Sequence, residues 1–352
     1  MGLAFLSVEN VRCIARAELE LHGRQNLIVG ANGSGKTSLL EAIFLLGRGR
    51  SFRTRNTERL IRYGTEQLVV FGRTQGEAAR TLGLRATRGG PTVAKVGGVF
   101  VGSLAELSES FPVQVIDPGV HKLIEDGSLS RRRWIDWAVF HVEHGFVDAW
   151  GRYRRALQQR NAALRAASEQ AAAWEGELSR LGEALDHSRR GILERLQPYW
   201  QTTVHHLTGQ EVALSYRQGW PRDLSLEDAL RASRDRDYAR GTTQCGAHRA
   251  DVQLRIDGRP VSHVASRGQH KLIAAAMVLA QLKMLQGEFR AAPTLLLDDP
   301  AAELDAAHIA AFIEEVRALE CQLVLTSLSA DRGIFGTPDR AFHVEQGRVG
   351  PL

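Results

Sequence analysis

The stretch GANGSGKTS constrains the fold more than any other part of this sequence. It fits the phosphate-loop pattern G-x-x-x-x-G-K-[ST], which joins a buried strand to a helix. The apolar run NLIVG leads into it and the amphipathic run SLLEAIFLLGR continues from it. The pattern predicts a site for ATP and Mg²⁺, in which backbone amides surround the phosphates. The predicted nucleotide-binding residues are Gly30, Ala31, Asn32, Gly33, Ser34, Gly35, Lys36, Thr37 and Ser38.

Two side chains of this loop have distinct predicted tasks. Lys36 reaches the β- and γ-phosphate oxygens, and the Thr37 hydroxyl binds magnesium. A nucleotide site of this kind also needs a carboxylate elsewhere in the chain.

The stretch TLLLDDPAAELD supplies that acidic half. Its leucines predict a buried strand, and Asp298 at the end of this strand is placed to bind magnesium. Asp299 is the candidate to orient or deprotonate the attacking water. Asp299 and Lys36 are the predicted catalytic residues. The alternative is a pair of aspartates that cap a helix. The phosphate loop in the same chain favours the nucleotide site.

A polar loop, Ser266, Arg267, Gly268 and Gln269, directly precedes a long apolar helix. It resembles the signature loop of ABC-type ATPases, in which the loop of one head completes the nucleotide site of a second head. Arg267 stands where a glycine is usual. The alternative is an ordinary helix that Ser266 caps. Asp305 matches the D-loop position of the same superfamily, which implies a place at the dimer seam.

The distance between these motifs narrows the class of ATPase. The signature loop follows the phosphate loop by roughly 230 residues, farther than in transporter subunits and much nearer than in chromosome-structure-maintenance (SMC) proteins. Residues 126–207 between them are rich in Ala, Leu, Arg, Gln and Glu, which predicts an all-helical arm, with interruptions expected at Gly176 and Gly182.

We therefore expect an α/β fold of two domains. Residues 1–125 and 208–352 form a discontinuous ABC-type ATPase head, with a parallel core sheet and an antiparallel β subdomain. Residues 126–207 form the inserted helical arm.

Composition excludes some other classes. The three cysteines are far apart and form no CxxC pair, so neither a disulfide framework nor a zinc knuckle is indicated. No apolar run is long enough to span a bilayer and no signal peptide is evident, so we expect a cytoplasmic protein without a membrane partner. The net charge of +5 is compatible with a polyanionic partner.

The longer segments around these motifs are similar to the RecF family of bacterial recombination mediators. The resemblance runs from end to end and is carried, in the family's order, by GANGSGKTSLLEAIFLLGRGRSFRT, RRRWIDWAVFHVEHGFVDAWGRYRRALQQRNAALR, GAHRADVQLRIDGRPV, SRGQHKL and LLLDDPAAELD. It implies an ATP-dependent homodimer that binds double-stranded DNA near gaps and single-strand junctions. It further implies RecR and RecO as partners in loading RecA, and slow, DNA-stimulated hydrolysis of ATP. It also adds Arg12 to the nucleotide-binding residues.

DNA binding is expected to depend on arginines that contact phosphates. The candidates are Arg53 and Arg55, just after the phosphate-loop helix, and Arg131 and Arg132. The alternative for each cluster is a solvated helix face. Gln114 is the candidate sensor of the γ-phosphate.

Two other functions are left open by the motifs alone. One is a transporter-type ABC ATPase subunit. The other is a binding module that uses ATP only to dimerise, with negligible hydrolysis.

Overall fold

A computed structural model describes residues 2–54, 56–76, 79–103, 105–286, 293–300, 305–328 and 335–352. Its strands are β1 Leu3–Val11, β2 Ile14–Glu20, β3 Gln25–Val29, β4 Gln67–Thr74, β5 Thr81–Thr87, β6 Thr92–Val96, β7 Val99–Phe100, β8 Val113–Ile116, β9 Ala213–Arg217, β10 Asp251–Ile256, β11 Arg259–Pro260, β12 Thr294–Leu297, β13 Gln322–Ser327, β14 Arg340–Glu345 and β15 Arg348–Pro351. Its helices are α1 Lys36–Arg48, α2 Ala105–Ser110, α3 Lys122–Glu125, α4 Ser128–Val142, α5 Phe146–Arg165, α6 Glu175–Thr208, α7 Leu226–Ala232, α8 Arg234–Arg240, α9 Val261–Val264, α10 Arg267–Met284 and α11 Ala306–Arg317.

The chain divides into two compact units. The first contains residues 1–120 and 285–352, and the second contains residues 121–284. Within the described ranges, no helix combines the length and the apolar character needed to cross a bilayer.

A parallel sheet in the first unit positions the phosphate loop. Its strand order is β15-β14-β3-β13-β12-β8, in which β15 alone runs antiparallel to its neighbour. The strands β12 and β13 are almost entirely buried, as apolar runs of parallel sheets are. Because carboxyl ends of parallel strands meet at one edge, the loop after β3 and the acidic residues after β12 lie at the same edge.

Helix α1 fills the core of this unit. It is buried on nearly every side, so it is apolar around most of its circumference rather than along a single stripe. Leu39 and Ile43 of α1 belong to one apolar cluster with Leu6 of β1, Val70 of β4 and Val324 of β13. The helix that begins at the phosphate loop is therefore held between the parallel and the antiparallel strands.

The antiparallel sheet has one buried and one open face. Its order is β2-β1-β4-β5-β6-β7, and residues alternate between buried and exposed along its strands, for example along β4 and β5. Gly72 of β4 lies so close to α1 that a Cβ there would be 2.6 Å from Leu46 Cδ1. The expected pairing of a parallel core sheet with an antiparallel subdomain is confirmed.

The second unit combines helices with a small sheet of order β11-β10-β9. Most of residues 126–207 lie in the helices α4, α5 and α6. Because α6 also packs against β9 and α10, the compact unit includes residues 208–284. The division of the chain into a head and an arm at residue 207 stays a prediction.

The interruption expected at Gly176 and Gly182 is wrong, because α6 runs unbroken over 34 residues, about 51 Å. Gly182 has a packing role, since a Cβ there would lie 2.4 Å from Leu226 Cδ2.

A buried arginine holds several helices of this unit together. Arg160 of α5 is fully buried and donates to Asp237 of α8 at 2.7 Å and to Glu175 at the start of α6 at 3.0 Å. It also donates to Thr243 at 2.8 Å, and Glu175 accepts a second bond, of 2.7 Å, from Arg234. A buried charge is tolerated only when it is paired and hydrogen-bonded in this way.

Replacing Arg160 by alanine should therefore destabilise the protein strongly. Asp237 would lose its ion pair in a buried position, which typically costs about 3–5 kcal/mol of unfolding free energy. Urea unfolding measures this loss. The matched control is Arg152→Ala, whose bond of 2.6 Å to Glu177 is partly exposed, so its loss should stay below about 1 kcal/mol. Equal losses in the two variants would contradict the structural role of Arg160.

Candidate nucleotide-binding site

The phosphate loop curves tightly between β3 and α1. Gly33 and Gly35 have φ angles of 76° and 121°, in the left-handed region that side chains disfavour. The loop is fastened at both ends, because the Gly30 amide donates to Ser327 O of β13 at 3.3 Å and Ser34 O accepts the Gly347 amide at 2.8 Å. The curvature and the anchors together point the amino end of α1 into the loop, which is the geometry of an anion site.

Lys36 lies inside this loop. Its side chain is buried, and Nζ donates to Gly30 O at 2.6 Å and to Ala31 O at 3.0 Å. The ammonium group is thus held at the centre of the loop where phosphate oxygens bind in this motif.

The two predicted halves of the magnesium site meet. The Thr37 hydroxyl donates to Asp298, and its Oγ1 lies 3.0 Å from both carboxylate oxygens. Thr326 of β13 donates to Asp298 Oδ1 at 2.9 Å. A hydroxyl and a carboxylate are oxygen ligands of the kind that Mg²⁺ prefers, so Thr37 and Asp298 fit the cation expected from the sequence.

Burial perturbs the acid at this site. Asp298 is only 8% exposed, and loss of hydration raises the pKa of its carboxyl. The hydroxyls of Thr326 and Thr37 and the charge of Arg53 oppose this rise, whereas the neighbouring Asp299 reinforces it. The carboxylate is therefore stabilised by an added cation.

Asp299 has an unusual backbone for a non-glycine residue. Its φ angle is 49°, and its amide donates to Thr326 Oγ1 at 2.9 Å. Thr326 therefore fixes both acidic residues. Thr326 was not among the residues predicted from the sequence, and its only signal there is the polar end of the apolar strand QLVLTS.

Arg12 is committed to another side chain. Its guanidinium forms two hydrogen bonds to Glu41 of α1, one of them 2.9 Å from Nη2 to Oε1, and Glu41 is fully buried. Glu41 also accepts a bond from Ser51, whose Oγ accepts the Arg53 and Thr54 amides at 2.9 and 3.2 Å. Arg12 thus positions the segment after α1, and its assignment as a nucleotide contact stays a prediction.

Glu41 and Ser51 were not singled out from the sequence. The signal for Glu41 was a single charged residue within the apolar run SLLEAIFLL. Such a residue needs a buried partner.

The remaining candidates of the first unit are placed as follows. Arg53 is exposed, and its charge acts on Asp298, so Arg53 lies on the nucleotide side of the unit. Arg55 lies outside the described residues.

The D-loop and sensor candidates lie elsewhere in this unit. Asp305 is the exposed N-cap of α11, where Oδ1 accepts the His308 amide at 3.0 Å. Residues 301–304 lie outside the described ranges. Gln114 is a buried residue within β8, opposite Leu295.

The signature-like loop in the second unit forms a capping box at the start of α10. Ser266 Oγ accepts the Gln269 amide at 3.3 Å, and Gln269 Oε1 accepts the Ser266 amide at 2.8 Å. Ser266, Arg267 and Gly268 are exposed. A Cβ at Gly268 would have no neighbour nearer than Ser266 Oγ at 4.0 Å among the described residues. The cap explains the serine within the chain, and the exposed helix end is left open to an anion.

Arg131 and Arg132 have structural tasks. Arg131 donates to both Asp251 carboxylate oxygens, at 3.0 and 3.2 Å, and Arg132 donates to Ala250 O at 2.6 Å. These bonds join α4 to the start of β10. Both guanidinium groups are thus engaged inside the unit, and their assignment as DNA contacts stays a prediction.

Comparisons with known proteins identify the family. The RecF/RecN/SMC N-terminal domain family matches residues 3–347. The "DNA replication and repair protein RecF" of Stutzerimonas stutzeri is 39% identical, over 100% of this chain and 98% of the relative. The protein of the same name from Shewanella loihica is 38% identical, over 99% of both chains. The chain belongs to the RecF family.

The fold agrees with solved RecF structures. A structure of "the recombination mediator protein RecF-ATP in RecFOR pathway" has a TM-score of 0.90 and 25% identity, over 100% of this chain and 97% of that chain. A RecF-ATPrS structure has a TM-score of 0.87 at 25% identity and covers 99% and 98%. An Smc head with a TM-score of 0.59 and 17% identity shares the fold. The expected ABC-type ATPase fold is confirmed for this RecF family member.

Replacing Asp298 by asparagine should raise the melting temperature of the nucleotide-free protein near pH 7–8. The amide retains a hydrogen-bonding partner for Thr37 and Thr326 without a buried charge. Because folding raises the pKa of Asp298, the stability it contributes is present at low pH and is lost as pH rises through the folded pKa. The gain in the variant should therefore shrink as pH falls towards about 4, the ordinary range of aspartate.

Asp305→Asn is the control with the opposite sign. The His308 amide lowers the pKa of exposed Asp305, so its contribution is present above the ordinary aspartate range and is lost as pH falls through the folded pKa. The control should melt slightly lower at neutral pH. Thermal scans between about pH 4 and pH 8 compare the two, and a lower melting temperature for Asp298→Asn at neutral pH would contradict the strained carboxylate.

Proposed function

We propose that this chain is an ATP-dependent DNA-binding protein of recombinational repair and replication restart. The observation that carries the proposal is the contact of Thr37 with both carboxylate oxygens of Asp298, which unites the phosphate loop with the acidic strand end. Relatives named for DNA replication and repair and a neighbour solved as RecF-ATP support it.

The chemistry at this site is phosphoryl transfer to water. Lys36 exchanges its loop carbonyl partners for β- and γ-phosphate oxygens. Thr37 and Asp298 would hold Mg²⁺, which would supply positive charge against the charge that develops on the phosphates. Asp299 orients the attacking water or accepts its proton. Aspartate is one methylene shorter than glutamate, which accounts for slow hydrolysis that serves as a timer for release.

ATP binding is coupled to assembly of a homodimer. The exposed amino end of α10, with Ser266 and Gly268, binds the γ-phosphate held by a second subunit, and Asp305 lies at the seam. The open space at Gly268 supports this, since no contact among the described residues requires a glycine there. A close approach by another molecule would require one.

The ATP-bound dimer clamps double-stranded DNA near single-strand junctions and gaps. Arg53 and Arg55, two residues apart in the chain, contribute phosphate contacts that are independent of the DNA sequence and sensitive to salt. The clamp promotes RecA loading together with RecO and RecR, and DNA stimulates the slow hydrolysis that releases it.

Sedimentation velocity with no nucleotide, ADP or ATP, with and without a gapped duplex, tests this function. The wild type should dimerise with ATP only, and DNA should strengthen the dimer. Lys36→Ala should lose ATP binding, whereas Ser266→Ala should bind ATP as a monomer without dimerising.

Ser225→Ala controls for the loss of a helix cap. Ser225 caps α7 by accepting the Asp228 amide at 3.1 Å, and removal of such a cap costs about 1 kcal/mol. This control should dimerise normally. Normal dimerisation of Ser266→Ala would refute the contact of Ser266 with the nucleotide of a second subunit. Dimers that DNA does not strengthen would contradict the proposed role in DNA repair.

Asp299→Asn should trap the ATP-bound dimer on DNA. The amide cannot accept the proton of the attacking water, so single-turnover hydrolysis should fall by about 10²-fold or more while ATP affinity is retained. Quenched-flow assays with radiolabelled ATP measure this. Unchanged turnover would remove Asp299 from the catalytic role, and a wild type equally inert would favour the ATP-gated binding module.

A further inference from the structure

The exposed face of the antiparallel sheet carries a row of side chains that the nucleotide site does not use. The strand register places Phe71 of β4, Gly83 of β5, Lys95 of β6 and Phe100 of β7 side by side. Neighbouring strands lie about 4.8 Å apart, so the two phenylalanines are separated by roughly 14 Å. We call this row, with the flanking Arg73 and Arg85, the aromatic row.

Both rings of the aromatic row are open to solvent. Phe100 is 63% exposed and Phe71 is 38% exposed. Between them, a Cβ at Gly83 would have no atom within 4 Å among the described residues. The sheet therefore presents two aromatic rings on either side of an open glycine, although hydrophobic burial would favour covering them.

Three cations lie on the same face of the sheet as these rings. Arg73, Arg85 and Lys95 are exposed, and none of them pairs with a carboxylate of the residues that the structure describes. Instead, Lys95 Nζ lies 4.3 Å from the Phe100 ring centroid and Arg73 Cζ lies 5.8 Å from the Phe5 ring centroid. Positive charge beside exposed rings complements a ligand that is both anionic and aromatic.

Acidic residues on this face are concentrated at the opposite side. Glu9, Glu18 and Glu20 lie on β1 and β2, and Glu18 pairs with Arg16 at 2.9 Å. The half of the face formed by β4 to β7 is therefore basic. A polyanion would be drawn to this half and away from β2.

We propose that the aromatic row binds single-stranded nucleic acid, with bases stacked on Phe71 and Phe100 and phosphates held by Arg73, Arg85 and Lys95. Sheets that carry aromatic and basic residues on adjacent strands bind unpaired bases in this manner. A duplex is disfavoured, because its bases already stack on one another and offer no free ring face. The inference rests on the proposed function only in so far as it names the unpaired strand of a junction.

Fluorescence anisotropy of the full chain with a labelled oligothymidylate tests the proposal. Phe100→Ala should weaken binding about tenfold, which is within the range for removing one stacking ring. Lys95→Gln should lower the slope of log affinity against log salt by about 0.7, the value for one phosphate contact to a single strand.

Two matched variants serve as controls. Tyr63→Ala removes a 96% exposed aromatic residue outside the strands, and Arg16→Gln removes an exposed cation from the acidic half of the face. Both should bind the oligonucleotide like the wild type. Circular dichroism and thermal melting of each variant establish that the sheet is intact.

Photo-crosslinking gives a readout independent of affinity. An oligonucleotide with 5-iodouracil should crosslink to peptides that contain Phe71 or Phe100, identified by mass spectrometry. Unchanged oligonucleotide affinity in Phe100→Ala, or crosslinks confined to other peptides, would overturn the proposal. So would loss of ATP-driven dimerisation in a folded Phe100→Ala, which would make this face a contact between copies.

Failure of the clamp would give a different pattern. Phe100→Ala should keep ATP-dependent duplex binding, whereas Lys36→Ala should lose it and still bind the oligonucleotide. If the wild type never binds duplex DNA, the proposed clamp is refuted. The effect of Phe100→Ala on oligonucleotide affinity would still test single-strand binding by the aromatic row.

Discussion

The buried carboxylate of Asp298 is the constraint on which the nucleotide site depends. It accepts hydrogen bonds from Thr37, at the start of α1, and from Thr326 of β13, and so it joins three chain segments that are far apart in sequence. Its raised pKa shows that burial strains the anion. Among the described residues its hydrogen-bonding partners are hydroxyls and no cationic side chain, and the proposed Mg²⁺ would supply the missing positive charge.

Glu41 poses the same problem within α1 and has a different solution. It is fully buried in an apolar helix, and the bonds from Arg12 and Ser51 compensate its charge permanently. Because Ser51 also accepts two backbone amides, this one carboxylate couples the turn after β1 to the segment that carries Arg53. Glu41 thus has its compensating partners within the protein, whereas the proposed magnesium ion would compensate Asp298.

The strand, the loop and the helix of this site could be predicted from the sequence, because a phosphate loop is contiguous and its flanking strand and helix are visible beside it. Long-range partners such as Thr326 and Glu41 were not predictable, since a lone polar residue in an apolar run does not reveal what it will contact. The same limit applies to Arg131 and Arg132. A run of arginines in the sequence does not reveal whether the side chains are solvated or form ion pairs, and Arg131 pairs with Asp251.

The antiparallel sheet explains why an open face exists beside a buried nucleotide core. Strand side chains alternate between two faces. Because Leu68 and Val70 face α1, the residues next to them in β4 must face outward. Phe71 is therefore exposed as a consequence of the burial of Val70. That an outward position is exposed needs no function. The proposal for this face therefore rests on the combination of exposed phenylalanines with cations that form no ion pair among the described residues, in contrast to the Glu and Arg of β2.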